Sequence, residues 1–181
     1  MKKIIILALL AFASLGFSQE VTQPVGSKSI FNRKHEIKVG AIKLLAGPVF
    51  EGTYEYIQTK DFTYGASLLV NLDNRNDYYE DFSISPFARF YFQESKEFGA
   101  KGFFVEGFAK YSMGRNNYDD FWDNYSEKYT AASLGISVGK KWINNSGFVF
   151  EILVGVGRTL GNSDAAPDAL FRGDFNIGYR F

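Results

Sequence analysis

The final twelve residues alternate without interruption, and that alternation constrains the fold more than any other feature. From Leu170 to Phe181 one face carries Phe171, Gly173, Phe175, Ile177, Tyr179 and Phe181. The other carries Arg172, Asp174, Asn176, Gly178 and Arg180. Period two is the geometry of an extended strand, and a helix of period 3.6 would mix the two sets.

The same period recurs upstream in segments of about ten residues. Val49 to Ile57 sets Phe50, Tyr54 and Tyr56 against Glu51, Thr53 and Glu55. Gly102 to Ser112 sets Phe103, Val105 and Tyr111 against Glu106, Lys110 and Ser112, with Phe104 and Phe108 on the polar side. Thr130 to Trp142 sets Leu134, Ile136, Val138 and Trp142 against Ser133, Gly135, Ser137, Gly139 and Lys141. Phe148 to Val156 opposes Phe148, Phe150, Ile152 and Val154 to Glu151 and Gly155. Phe62 to Leu72 and Phe82 to Phe92 alternate similarly, the latter with Arg89 on the polar face and Pro86 on the other. The first segment, His35 to Leu45, is the least regular, because Lys43 falls on its apolar face; a bulge or a shifted register would explain it.

Eight such segments predict an all-β chain folded as a closed, antiparallel, up-and-down transmembrane β-barrel of about eight strands. Connections alternate in length. Gln58 to Asp61 and Asn144 to Gly147 are short, whereas Asp73 to Asp81, Gly114 to Lys128 and Gly161 to Ala169 are longer and rich in Asp and Asn. Short turns on one rim and long loops on the other are how membrane barrels are built. The connection at Gly47-Pro48 is unexpectedly short for its rim. Nineteen Phe, eleven Tyr and eighteen Gly against four Pro also favour strands and tight turns over helices.

The magnitudes favour lipid on the apolar side. Ten residues at about 3.3 Å each, tilted by about 40°, cover about 25 Å, the height of an outer-membrane apolar band. The polar face collects Glu36, Glu51, Glu55, Glu106, Glu151 and Asp174, and against them Lys38, Arg89, Lys110, Lys141, Arg172 and Arg180. A filled polar lumen needs that balance, since buried charges are tolerated only in pairs. Gly65, Gly135, Gly139 and Gly178 on the same face leave room for long side chains in an eight-strand interior, which is only wide enough to be packed.

The other end of the chain reads as an export signal. Lys2 and Lys3 precede the apolar run Ile4 to Phe17, and Gly16 and Ser18 are small residues at a cleavage position between Ser18 and Gln19. The expected organisation is a signal peptide over 1–18, a flexible periplasmic leader over 19–33 and a barrel over 34–181. Losing two lysines takes the formal charge from zero to about −2, which excludes a basic nucleic-acid binder. The chain has no cysteine, so neither a disulfide framework nor a thiolate metal site is available.

Phe175, Ile177, Tyr179 and a terminal Phe181 resemble the outer-membrane barrel assembly signal, a last strand of alternating apolar residues ending in an aromatic. His35-Glu36-Ile37-Lys38, Gly102-Phe103-Phe104-Val105-Glu106-Gly107-Phe108 and Tyr179-Arg180-Phe181 resemble a family of small outer-membrane proteins from Bacteroidetes, a domain of unknown function within the outer-membrane barrel group. The resemblance runs from about residue 35 to the end. It implies a barrel in a Gram-negative outer membrane, with outer-membrane lipid and the barrel assembly machinery as partners, and it brings no catalytic residues.

Enzymatic readings find little support. Acyl transfer needs a base beside its nucleophile, and the one histidine, His35, falls at the periplasmic start of the first strand. Gly155 to Gly161 lacks the Lys-Ser/Thr ending of a phosphate loop. No cofactor is expected. The surface candidate is the long loop with Tyr118, Asp119, Asp120, Phe121, Trp122 and Asp123, whose oxygens suit a hard cation and whose aromatics suit an unidentified extracellular partner. The function expected is that of a non-enzymatic structural or interaction barrel with a plugged charged lumen, acting through its loops. The alternatives are a narrow pore for small solutes or ions, and a soluble periplasmic lipocalin-like binding barrel.

Overall fold

Eight antiparallel strands close on themselves in chain order. The structure, a computed structural model, describes residues 33–73, 78–92, 99–119, 124–160 and 166–181. The expected signal peptide, the leader up to residue 32, and Asp120, Phe121, Trp122 and Asp123 lie outside the described residues. So do the side chains of Tyr118 and Asp119, although their backbone is described.

The elements are β1 (His35–Gly40), α1 (Ala41–Ala46), β2 (Val49–Ile57), β3 (Phe62–Asn71), β4 (Glu80–Phe92), β5 (Gly102–Asp119), β6 (Asn124–Ile143), β7 (Phe148–Leu160) and β8 (Ala169–Arg180). Each strand pairs with the next, and β1 pairs with β8 through Glu36↔Arg180 to Gly40↔Asn176. Ring closure leaves no terminal edge, which answers the hazard of unpaired strand edges. The tight turn after β6 is set by Asn144, whose Oδ1 accepts the N–H groups of Ser146 and Phe148, and by Gly147 at φ +102°.

The alternation is resolved with the apolar side outward. Ile136, Val156 and Phe171 are 63%, 59% and 67% exposed, and Tyr54, Tyr64, Phe90, Phe103, Phe148 and Tyr179 also point out. The interior takes the charges together with Phe87, Tyr91, Phe104 and Phe108. A soluble lipocalin-type barrel requires the reverse arrangement.

Three segments depart from the sequence expectation. The first strand stops at Gly40 rather than continuing to Leu45, and Ala41–Ala46 turns into a short helix in the wall. Continued as a strand, β1 would point Lys43 outward. The helical turn instead directs Lys43 inward, where it pairs with Glu51, and leaves Ile42 and Leu45 outside. Gly40 offers no side-chain cap; Asp174 of β8 does the capping instead, its Oδ1 accepting the Ile42 N–H at 3.1 Å. A Cβ on Gly40 would collide with that carboxylate.

The second departure is the segment Gly114 to Lys128, read as a loop. Its backbone continues the ladder from Gly114↔Tyr129 to Asp119↔Asn124. Polar composition hid this pairing, because a hairpin standing clear of the barrel needs no apolar face. Third, Glu80 begins β4 inside the barrel, where the sequence predicts a loop from Asp73 to Asp81. A register shift between Glu80 and Phe82 reverses the parity that would have turned it outward.

Candidate functional site

The barrel interior is the candidate site. Strands β1, β2, β4, β5, β6, β7 and β8 each send at least one charged residue to a common level toward the mouth that carries the short turns Gln58 to Asp61 and Asn144 to Gly147. Glu36, Lys38, Glu55, Arg89, Glu106, Lys141, Glu151 and Arg180 meet there, none more than 2% exposed. Lys38 Nζ lies 2.5 Å from Glu55 Oε2 and 2.7 Å from Glu151 Oε2. Arg89 donates Nε to Glu106 at 2.6 Å and Nη1 to Glu55 and Glu151 at 2.7 and 2.8 Å. Lys141 reaches Glu36 at 2.7 Å and Glu55 at 2.8 Å, and Arg180 reaches Glu36 at 2.5 Å.

Neutral donors complete the carboxylates. Thr63 and Tyr91 hydroxyls donate to Glu55 Oε1, Ser137 to Glu106, and Asn176 to Glu151. Four cations and four acids, each multiply bonded, form a network of the kind that can bear burial. The Arg89 guanidinium is also sandwiched by rings, 4.3 Å from the Phe87 centroid and 4.5 Å from that of Phe104. Glycines accommodate these rings. The Phe104 ring lies over Gly139 and the Phe108 ring over Gly135, where a Cβ would collide with ring carbons and backbone oxygens. Gly139→Ala is therefore expected to destabilise the barrel by about 1–3 kcal/mol through overpacking, read as a lowered urea midpoint with an unchanged slope.

A second, smaller group lies toward the opposite mouth. Lys43 pairs with Glu51 and is 3.5 Å from Asp174; Lys110 is 2.5 Å from Glu80. Arg172 Nη2 donates to Ser67 Oγ at 2.9 Å, and its Nη1 is 3.5 Å from Glu106. This layer is less completely bonded. Glu80 Oε2, Arg172 Nη1 and Asp174 Oδ2 are the buried side-chain atoms without a hydrogen bond among the described residues. Tyr78 lines the cavity here, and burial pushes its phenol well above its ordinary value, so it stays a neutral hydroxyl.

All twelve lumen charges named from sequence thus occupy the interior, in two layers rather than one. Lys43 and Glu80 join them, which makes seven cations and seven acids in the interior among the described residues. The alternation break at Lys43 was the available signal for the first; nothing in the sequence marked the bulge that turns Glu80 inward. Outside, Phe175, Ile177, Tyr179 and Phe181 share one face, with Phe175 beside Phe150 and Tyr179 edge-on to Phe148. His35 sits at the rim against Tyr54, Tyr56 and Phe181, its Nδ1 2.7 Å from the Tyr54 hydroxyl.

No protein-family model matches the chain, and no curated protein does. Among solved structures, it is similar to the crystal structure of the N-terminal β-barrel domain of OprF from Pseudomonas aeruginosa. The TM-score is 0.54 at 15% identity, over 82% of this chain and 98% of that one. At that identity the likeness concerns the fold: a closed, eight-stranded, antiparallel barrel.

Proposed function

We propose that the chain is a non-enzymatic barrel of a Gram-negative outer membrane, with lipid against its outer face and a lumen closed to solutes. The observation that carries this is the inverted distribution of polarity. An exterior of exposed Ile, Val, Leu and Phe surrounds an interior of fully buried, mutually paired charges. In water, that exterior would be a contiguous apolar patch many times larger than soluble monomers carry. In a bilayer it matches its solvent, and closed barrels are one of the two architectures that satisfy all their backbone groups there.

The central network closes the lumen. Arg89 bridges Glu55, Glu106 and Glu151 from three other strands, so an ion path would have to break several charge-assisted bonds together. What remains for function is interaction through the extracellular hairpin and loops, including Tyr118 to Asp123. The family from Bacteroidetes is the source we assign, and the assembly machinery is expected to read Phe175, Ile177, Tyr179 and Phe181 during insertion.

The test is gel mobility in SDS, unheated against boiled, on membranes of cells exporting the full chain. A folded barrel resists SDS kinetically and migrates differently until heated. A heat-dependent shift in the outer-membrane fraction is expected, and recovery in the soluble periplasm without a shift would refute the reading. In planar bilayers no steady conductance is expected. Regular open events abolished by Glu106→Gln would replace the plug with the narrow pore.

A further inference from the structure

The mouth on the side of the short turns holds a cavity that the charge network beneath it closes off. Arg180, 2% exposed, forms the floor, with Nε and Nη2 at 2.7 and 2.5 Å from Glu36 Oε1. The same guanidinium fixes a wall, Nη1 donating to Gly99 O at 2.8 Å and Nη2 to Ala100 O at 3.1 Å. Ala100 donates its N–H to Lys60 O at 2.7 Å, which holds that wall against the turn between β2 and β3. The third side is the chain entering β1, where Lys34 O accepts the Ile57 N–H at 2.8 Å. Enclosed between them is a space of about 200 Å³. Arg33, Lys34, Lys60 and Arg180 line it beside Gln58 and Thr59, and no acid is among its described lining residues.

Charge is therefore unmatched here, whereas the deeper layers pair theirs. Arg180 belongs to Glu36, and Lys60 has contacts of its own. Arg33 and Lys34 have no acid within ion-pair distance among the described residues. Arg33 is nonetheless held in place. Its Nη1 lies 3.2 Å from Ser146 O and from the Tyr179 hydroxyl, and 3.3 Å from Arg180 O. Such neutral acceptors orient a guanidinium without cancelling its charge.

We propose that this cavity is a blind binding site for a small, doubly charged oxyanion, a phosphate monoester or a dicarboxylate, taken from the periplasm. The side it faces rests on the membrane reading above; the cavity itself does not. The two unmatched cations set the charge, since a dianion neutralises Arg33 and Lys34 and a monoanion leaves one of them over. Both groups present the paired oxygens that suit a guanidinium fork. Thr59 Oγ1 already accepts the Phe62 N–H at 3.0 Å, so its own proton is available to a further oxygen. Size sets the rest. About 200 Å³ falls below the roughly 300–1,000 Å³ of sites for drug-sized ligands, so the body that carries the charges is compact. Passage onward is blocked by the Arg180–Glu36 pair and by the Arg89 bridges behind it. The site binds without conducting.

The test is isothermal titration calorimetry on the exported full chain in uncharged detergent micelles, at low ionic strength, where charge contacts are least screened. Glycerol phosphate and succinate are the probes, with glycerol as the uncharged control. One saturable site per barrel is expected for the dianions and none for glycerol; the tighter probe identifies the source as phosphate ester or dicarboxylate. Arg33→Gln and Lys34→Gln should each weaken binding about tenfold, the loss of one charge-assisted contact. Lys34 is exposed, so its variant carries the test if Arg33→Gln fails to show the heat-dependent gel shift of a folded barrel. Lys140→Gln removes a cation from the same end of the barrel but from its outer face, and should leave the affinity unchanged. Equal weakening by Lys140→Gln would reduce the effect to the general attraction of a positive rim and overturn the site. Absence of saturable binding, or an affinity untouched in the folded Lys34 variant, overturns it as well. A wild-type chain without a heat shift refutes the membrane reading instead, while the titration still decides the cavity.

Discussion

Replacing Arg89 by alanine is expected to cost about 3–5 kcal/mol, the penalty for leaving buried charges without their partner. The side chain is 1% exposed and bonds three carboxylates on three strands, Glu55 of β2, Glu106 of β5 and Glu151 of β7. Lys38 and Lys141 stay beside Glu55 and Glu151, but Glu106 keeps only the Ser137 hydroxyl and the Arg172 guanidinium at 3.5 Å. The rings of Phe87 and Phe104 lose the cation between them at the same time. The measurement is the urea midpoint in micelles, together with the temperature at which the SDS-resistant band disappears. Arg89→Met paired with Glu106→Gln removes the orphaned acid and should recover a substantial part of the loss. Strict additivity of the two substitutions would show that they do not interact. A loss under 1 kcal/mol for Arg89→Ala would mean that water reaches these carboxylates and that the lumen is not closed.

How much of this was legible in the sequence depends on where lipid-facing alternation applies. β2 spans Val49–Ile57 as read, and β8 carries Arg172, Asp174 and Arg180 inward and Phe171, Ile177 and Tyr179 outward as the alternation requires. Where the ladder of β5 and β6 runs past its neighbouring strands, from Arg115↔Lys128 to Asp119↔Asn124, the sequence is polar at successive positions and carries no hydrophobic contrast by which to read the pairing. Lys43 shows the converse. A single cation on an apolar face was a true signal of irregularity, but sequence could not choose between a bulge, a slipped register and the helix that forms. The choice depends on Glu51 and Asp174, partners from β2 and β8 that only closure brings together. Glu80 was hidden for a related reason, since a bulge changes parity without changing composition. The two-layer division of the charges likewise arises from the stagger between strands, which a list of inward residues does not contain.

Ile136→Arg tests the outer face with the next largest effect. Ile136 points out from the middle of β6, is 63% exposed, and has Gly107 and Val156 as its cross-strand neighbours. On a water-facing surface such a substitution stays within about ±0.5 kcal/mol, because nothing is buried and no partner is lost. At the midplane of a bilayer it costs about 2–4 kcal/mol, falling to about 0–1 near the interfaces. The native chain already places cations on this face toward its ends, Lys140 of β6 at one and Arg158 of β7, opposite Leu134, at the other. Lys140 lies two residues from the β6 rim residue Trp142, and its ammonium rests 4.4 Å from the Phe103 ring and 5.6 Å from that of Trp142. A cation is tolerated there because the side chain can snorkel to the head groups among interfacial aromatics. Thr130, exposed and six residues further along β6 from Ile136, supplies the opposite control. The expected order of destabilisation in vesicles is therefore Ile136→Arg well above Thr130→Arg. Equal, small effects at both positions would place the whole outer face in water and remove the membrane from the account of this fold.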